Sequence, residues 1–107
     1  MKPHVIHEDA EAELWAEVGF YEKQVPGLGL DFLSEAEQAF DRIGAAPERW
    51  QHARHGTQRV FLRGFPHTVY YRNLPDVVWI TAVAPQKRRP FYWRYRLKDA
   101  PPIERPG

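Results

Sequence analysis

The chain has 107 residues, 43% of them hydrophobic, with no cysteine and a formal net charge of +1. That length suits one domain with its own core, and the missing cysteines exclude disulfides and thiolate metal sites and fit a reducing cytoplasm. The opening stretch, MKPHVIHEDAEAEL, holds no apolar signal-peptide core and no apolar run reaches a membrane span, so a soluble cytoplasmic protein is expected.

The near-neutral total hides an asymmetry. Residues 1 to 47 carry three Lys/Arg against ten Asp/Glu, and residues 48 to 107 carry twelve against four. A field divided this way suits a polyanion or an acidic partner on the basic half, unless the charges are simply segregated solvated faces.

In chain order, His4 to His7 reads as a short strand. From Asp9 to Val25, Ala10, Leu14, Val18, Tyr21 and Val25 recur at steps of three and four, which predicts a helix with Asp9 as its N-cap. Pro26-Gly27-Leu28-Gly29 ends it. A second helix is expected from Leu30 to Ile43, with Leu33, Ala36, Phe40 and Ile43 as its buried stripe and Gly44 and Pro47 as stop signals. The short connection makes the two an antiparallel hairpin.

After an irregular connector, AAPERWQHARHG, the period changes to two. In QRVFLRGF, Arg59, Phe61 and Arg63 point one way while Val60 and Leu62 point the other. His67 to Arg72 forms the next strand, Asn73-Leu74-Pro75-Asp76 a turn, and the apolar run Val77 to Ala84 the central strand. The fold class that follows is α+β: an N-terminal strand and a helical hairpin packed on a small, mainly antiparallel four-stranded sheet. Residues 1–96 form the domain and 97–107 a Pro-rich, loosely ordered tail.

Three segments in this order, AELWAEVGFYEKQVPGLGLDFL, RVFLRGFPHTVYY and VAPQKRRPFYWRYR, resemble the RelE/ParE superfamily of bacterial toxins across residues 4 to 96. The resemblance implies the toxic half of a type II toxin–antitoxin module, neutralised by a cognate antitoxin in a hetero-oligomer. It implies two targets: RelE-like members cut mRNA in the ribosomal A site, whereas ParE-like members poison DNA gyrase. A relative that only binds antitoxin or nucleic acid, without toxicity, is the third reading.

RNA cleavage without metal needs a base, cations for the phosphorane and an acid for the leaving oxygen. The candidates are Arg59, Arg63, Lys87 and Tyr92, with His67 as a further proton carrier. RelE-like enzymes usually carry lysines on the strand matching RVFLR and an arginine at the start of the next. This chain has Arg59, Phe61 and His67 there, and arginine is a poor base. Many ParE-like sequences read AVAHxRRxPxYW after the last strand. Here Pro85 replaces the histidine, while Arg88, Arg89, Pro90, Tyr92 and Trp93 match.

The resemblance therefore leans towards ParE and gyrase. The expected antitoxin or target surface is Arg59, Arg63, Lys87, Arg88, Arg89, Tyr92, Trp93, Arg94 and Arg96. In RRPFYWRYR, Phe91, Trp93 and Tyr95 are expected to pack while Tyr92, Arg94 and Arg96 stay wet. His67 reads as a half-buried sheet residue and the four tryptophans as core or core edge. His4, His7, His52 and His55 lack metal-ligand spacing, so neither a metal nor a cofactor is expected.

Overall fold

A three-residue strand, β1 (His4–Ile6), leads directly into the first helix, α1 (Glu8–Gln24). The computed structural model describes residues 1–101. His7, not Asp9, caps α1: its Nδ1 accepts the Asp9 amide at 3.0 Å, satisfying one of the orphan donors of the first turn. Helix α2 spans Leu28–Ala45.

The turn between the helices is glycine chemistry. Gly27 sits at φ 90°, the left-handed region, and offers no side-chain cap to α2. Glu22 of α1 supplies that cap, accepting the amides of Gly27 at 2.9 Å and Gly29 at 3.0 Å. A Cβ at Gly29 would stand 2.4 Å from the Val18 carbonyl oxygen, so the hairpin closes only because this position is bare.

The sheet has five strands, one more than expected, in the order β1-β5-β4-β3-β2. The extra one, β2 (Gln51–His52), pairs antiparallel with β3 (Gln58–Phe61) over only two residues. Two polar residues give no alternation from which a strand could be read. β3, β4 (His67–Asn73) and β5 (Val78–Pro85) form the antiparallel meander, and β1 lies parallel on β5. Thus β4 occupies the middle of the sheet, and β5 is an interior strand beside it.

Leu14, Phe32, Ala36, Phe40 and Ile43 from the helices meet Val60, Leu62, Val69, Tyr71, Val78, Ile80 and Val83 from the sheet in one core. Val25, expected on the buried stripe, is exposed, as is Trp15, which is one step off that stripe. A bulge at Thr81 resets the alternation of β5: Tyr70 pairs with Ala82 but Tyr71 with Ile80. Ile80 and Val83 therefore both join the helix-side core, while Ala82 and Ala84 join a second cluster with Trp93. The long apolar run of β5 is explained, since both faces of the strand are covered. No helix among the described residues is long and apolar enough to cross a membrane.

Candidate functional site

The chain after β5 folds back over the second face of the sheet. Trp93 is fully buried there, its ring 4.6 Å from that of Tyr70 and 5.4 Å from Phe91. The backbone from Arg94 to Asp99 is a 3-10 helix, not a strand. Burial therefore follows a step of three: Trp93 and Arg96 are inside, Arg94 and Tyr95 outside. The expected alternation fails for that reason. The boundary at residue 97 moves as well, since Asp99 receives a 2.8 Å bond from His7 Nε2. The rest of the expected tail, 102–107, lies outside the described residues.

Arg96 anchors the segment where β1 stops covering β5. β1 pairs with β5 only through Ile80, so the edge beyond it needs other partners. Arg96 Nη1 donates to the Thr81 carbonyl at 3.1 Å and to Glu13 Oε1 at 2.7 Å, and the Val83 amide donates to the same Glu13 oxygen at 3.3 Å. The Tyr92 hydroxyl donates to the other Glu13 oxygen. Burial, then that bond and the Glu13 charge, raise the Tyr92 pKa well above the phenol range. Tyr92 thus clamps the segment to α1, its hydroxyl held protonated on Glu13.

These contacts hold open a groove of about 260 Å³ on the outer face, lined by Arg59, Phe61, Tyr70, Arg88, Arg89 and Tyr92 among others. Arg59 Nε donates to Gln51 Oε1 at 3.1 Å and its guanidinium lies 5.3 Å from the Phe61 ring centre. Arg88 stacks on Tyr92 at 3.8 Å. A second cavity of about 420 Å³ shares Arg89 through Tyr92 as a wall and adds Arg54, His55 and Arg94.

The other nominated residues are elsewhere. Arg63 follows the end of β3 and lies near Arg42 of α2, whose pKa falls through burial and then through the Arg63 charge. Lys87 lines a separate cavity of about 330 Å³ with Glu17, Phe20, Tyr21, Pro66, His67 and Pro85. Arg59 and Tyr92 thus line one groove, Lys87 a cavity that meets it at Pro85, and Arg63 lines neither. Trp93 and Arg96 are buried: Trp93 forms part of the groove's floor and Arg96 supports the surface from behind. His67 is 1% exposed, deeper than expected, with Nε2 2.9 Å from Glu17 Oε2. Burial lowers its pKa despite the opposing Glu17 hydrogen bond and charge. Among the described residues, no three or more His, Asp or Glu side chains are grouped to hold a metal.

Three participants were not nominated from the sequence. Glu13 was read only as a helix-dipole charge, yet it binds residues 79 and 83 positions away. Arg54 and His55 sat in a connector without periodicity. Their basic character was the available signal, and the loop geometry that turns them towards Phe91 was not written locally.

The described residues thus form a hairpin of helices on a small, mostly antiparallel sheet, with a basic C-terminal segment behind it. Sequence comparison with family models and with curated proteins yields no match. Among solved structures, the chain is similar to one in "Chromosomal ParDE TA system from P. aeruginosa", with a TM-score of 0.70 over 79% of this chain and 96% of that one. Identity is 15%, so the likeness is one of fold.

Proposed function

We propose that this chain is the toxin of a type II toxin–antitoxin module, acting in the cytoplasm by binding DNA gyrase and neutralised by a cognate antitoxin. The fold likeness to a chain of the ParDE system carries the reading. What separates the gyrase branch from mRNA cleavage is the dispersal of the acid–base cast. Arg59 and Tyr92 share a groove, but Lys87 lines another cavity and Arg63 lies by α2. Cleaving a phosphodiester needs those groups within hydrogen-bond reach of one phosphate. The partner surface supported by exposure is Arg88, Arg89 and Arg94, with half-buried Arg59 in the groove beside them and Lys87 on its flank.

The test is a supercoiling assay with purified gyrase, run beside mapping of transcript ends after induced expression. Lost supercoiling or trapped cleavage complexes, without codon-phased cuts, is the expected result. New cuts that Arg59→Ala abolishes would replace this reading with ribosome-dependent mRNA cleavage. If neither effect occurs and growth continues, the chain is a non-toxic relative.

A further inference from the structure

His55 and Phe91 are the two non-glycine residues with positive φ among those described, at 62° and 55°. They come from different loops and touch each other, ring centres 5.5 Å apart and nearly perpendicular. A left-handed Phe is a genuine outlier, and such strain persists only where the surroundings impose it. Arg72 contributes to that constraint, donating from Nη2 to the His55 carbonyl at 2.7 Å. The strained pair forms the wall of the cavity that Arg54, Arg89 and Arg94 surround.

Those three guanidiniums are exposed. The ion pairs among the described residues are His7–Asp99, His67–Glu17 and Arg96–Glu13, so none of the three has a carboxylate partner. Among the described residues, none that is acidic lines this cavity or the adjoining groove with Arg59 and Arg88. Packing like charges around a concavity is unfavourable without a counter-charge, and guanidinium is the cation best shaped for phosphate oxygens.

The aromatic rings narrow the choice of polyanion. Tyr92 has Arg88 on its face at 3.8 Å, Phe61 has Arg59 at 5.3 Å, and Phe91 has Arg54 at 5.8 Å. Phe91 also packs against His55, Tyr70 and Trp93. A base entering the groove finds each platform occupied by a cation, so stacking of an unpaired strand is disfavoured. Phosphates on an intact duplex need only the outward guanidiniums.

We propose that the cavity between the Arg54–Gly56 turn and the Arg89–Arg94 segment binds the phosphodiester backbone of duplex DNA without reading its sequence. This goes beyond the gyrase reading and stands without it. Three arginines on three phosphates imply a slope of log affinity against log salt of about −2.7, or about a 40-fold loss from 50 to 200 mM salt. Each arginine removed should flatten that slope by about 1.

The test is fluorescence anisotropy of the full chain with a labelled duplex of about 20 base pairs, and with one of its strands alone. Expected are duplex binding with that salt slope, and at least about fivefold weaker binding in Arg54→Ala and Arg94→Ala at unchanged thermal midpoint. The exposed Arg49→Ala, which lines neither cavity, should bind as the wild type does. No binding at low salt, undiminished affinity in both pocket variants, or tighter binding of the single strand overturns the proposal. So does displacement of duplex by polyglutamate at equal charge, which would mark an acidic-protein interface. Gyrase inhibition by a wild-type chain that binds no duplex overturns this proposal alone, and DNA binding without gyrase inhibition overturns only the reading before it.

Discussion

Glu13 and Arg96 stand 83 residues apart in sequence and 2.7 Å apart in space, side chains 14% and 5% exposed. Between them they satisfy the edge of β5 that β1 leaves open, and Glu13 holds Tyr92 as well. Removing one member of a buried pair leaves the other charged and unpartnered. Glu13→Ala is therefore expected to cost about 3 kcal/mol in urea unfolding. It should also red-shift the tryptophan emission, because Trp93 loses its cover when the segment lifts. A Glu13→Ala protein as stable as wild type would show that the pair does not hold the segment down.

The helix turn gives a second expectation. Gly29→Ala places a methyl group 2.4 Å from a backbone oxygen that has little room to retreat, so the hairpin must open. Loss of several kcal/mol, in the range of overpacked cores and beyond, is expected. Glu22→Ala is the milder probe. It leaves the Gly27 and Gly29 amides to water at a cost of about 1 kcal/mol. Thermal melts of the two variants should rank in that order.

Much of this architecture was legible in the sequence, and the reason is local periodicity. Ala10, Leu14 and Val18 mark α1, and Ala36, Phe40 and Ile43 mark α2, because a helix that buries one face must repeat at three and four. Val60 and Leu62 against Arg59 and Phe61 mark β3 in the same way. The site was less legible. Arg96 looked like a displayed cation because its segment was read with a period of two, whereas the 3-10 backbone places it three residues from Trp93 and inside. Arg63 was expected beside Arg59, but β3 ends at Phe61 and the face relation ends with it. Long-range pairs such as Glu13–Arg96 leave no periodic trace at all.

His67 makes stability depend on pH. Its buried ring has a pKa below the usual 6.5, while in the unfolded chain it titrates normally. As pH falls below about 6.5, the unfolded state takes up a proton that the folded ring resists. The unfolded state then binds more protons, so this residue's contribution is harmless at neutral pH and increasingly destabilising on acidification. His67→Gln is expected to flatten the slope of unfolding free energy between about pH 7 and pH 5 relative to wild type. An unchanged slope would mean that other histidines carry it.

Tyr92 separates a structural tyrosine from a catalytic one. Tyr92→Phe keeps the ring under Arg88 and deletes the hydroxyl bonded to Glu13, a charged acceptor, so about 2 kcal/mol of stability is expected to go. Growth arrest should not change, because this hydroxyl is already committed to the Glu13 carboxylate inside the fold. Induced cells carrying Tyr92→Phe are thus expected to arrest like wild type wherever the protein accumulates to equal levels. Arg88→Ala together with Arg89→Ala should relieve arrest, since exposed cations leave the proposed target surface while the Glu13 clamp remains. Arrest lost in Tyr92→Phe at full protein level, and kept in the double arginine variant, would point back to an acid–base role for the phenol.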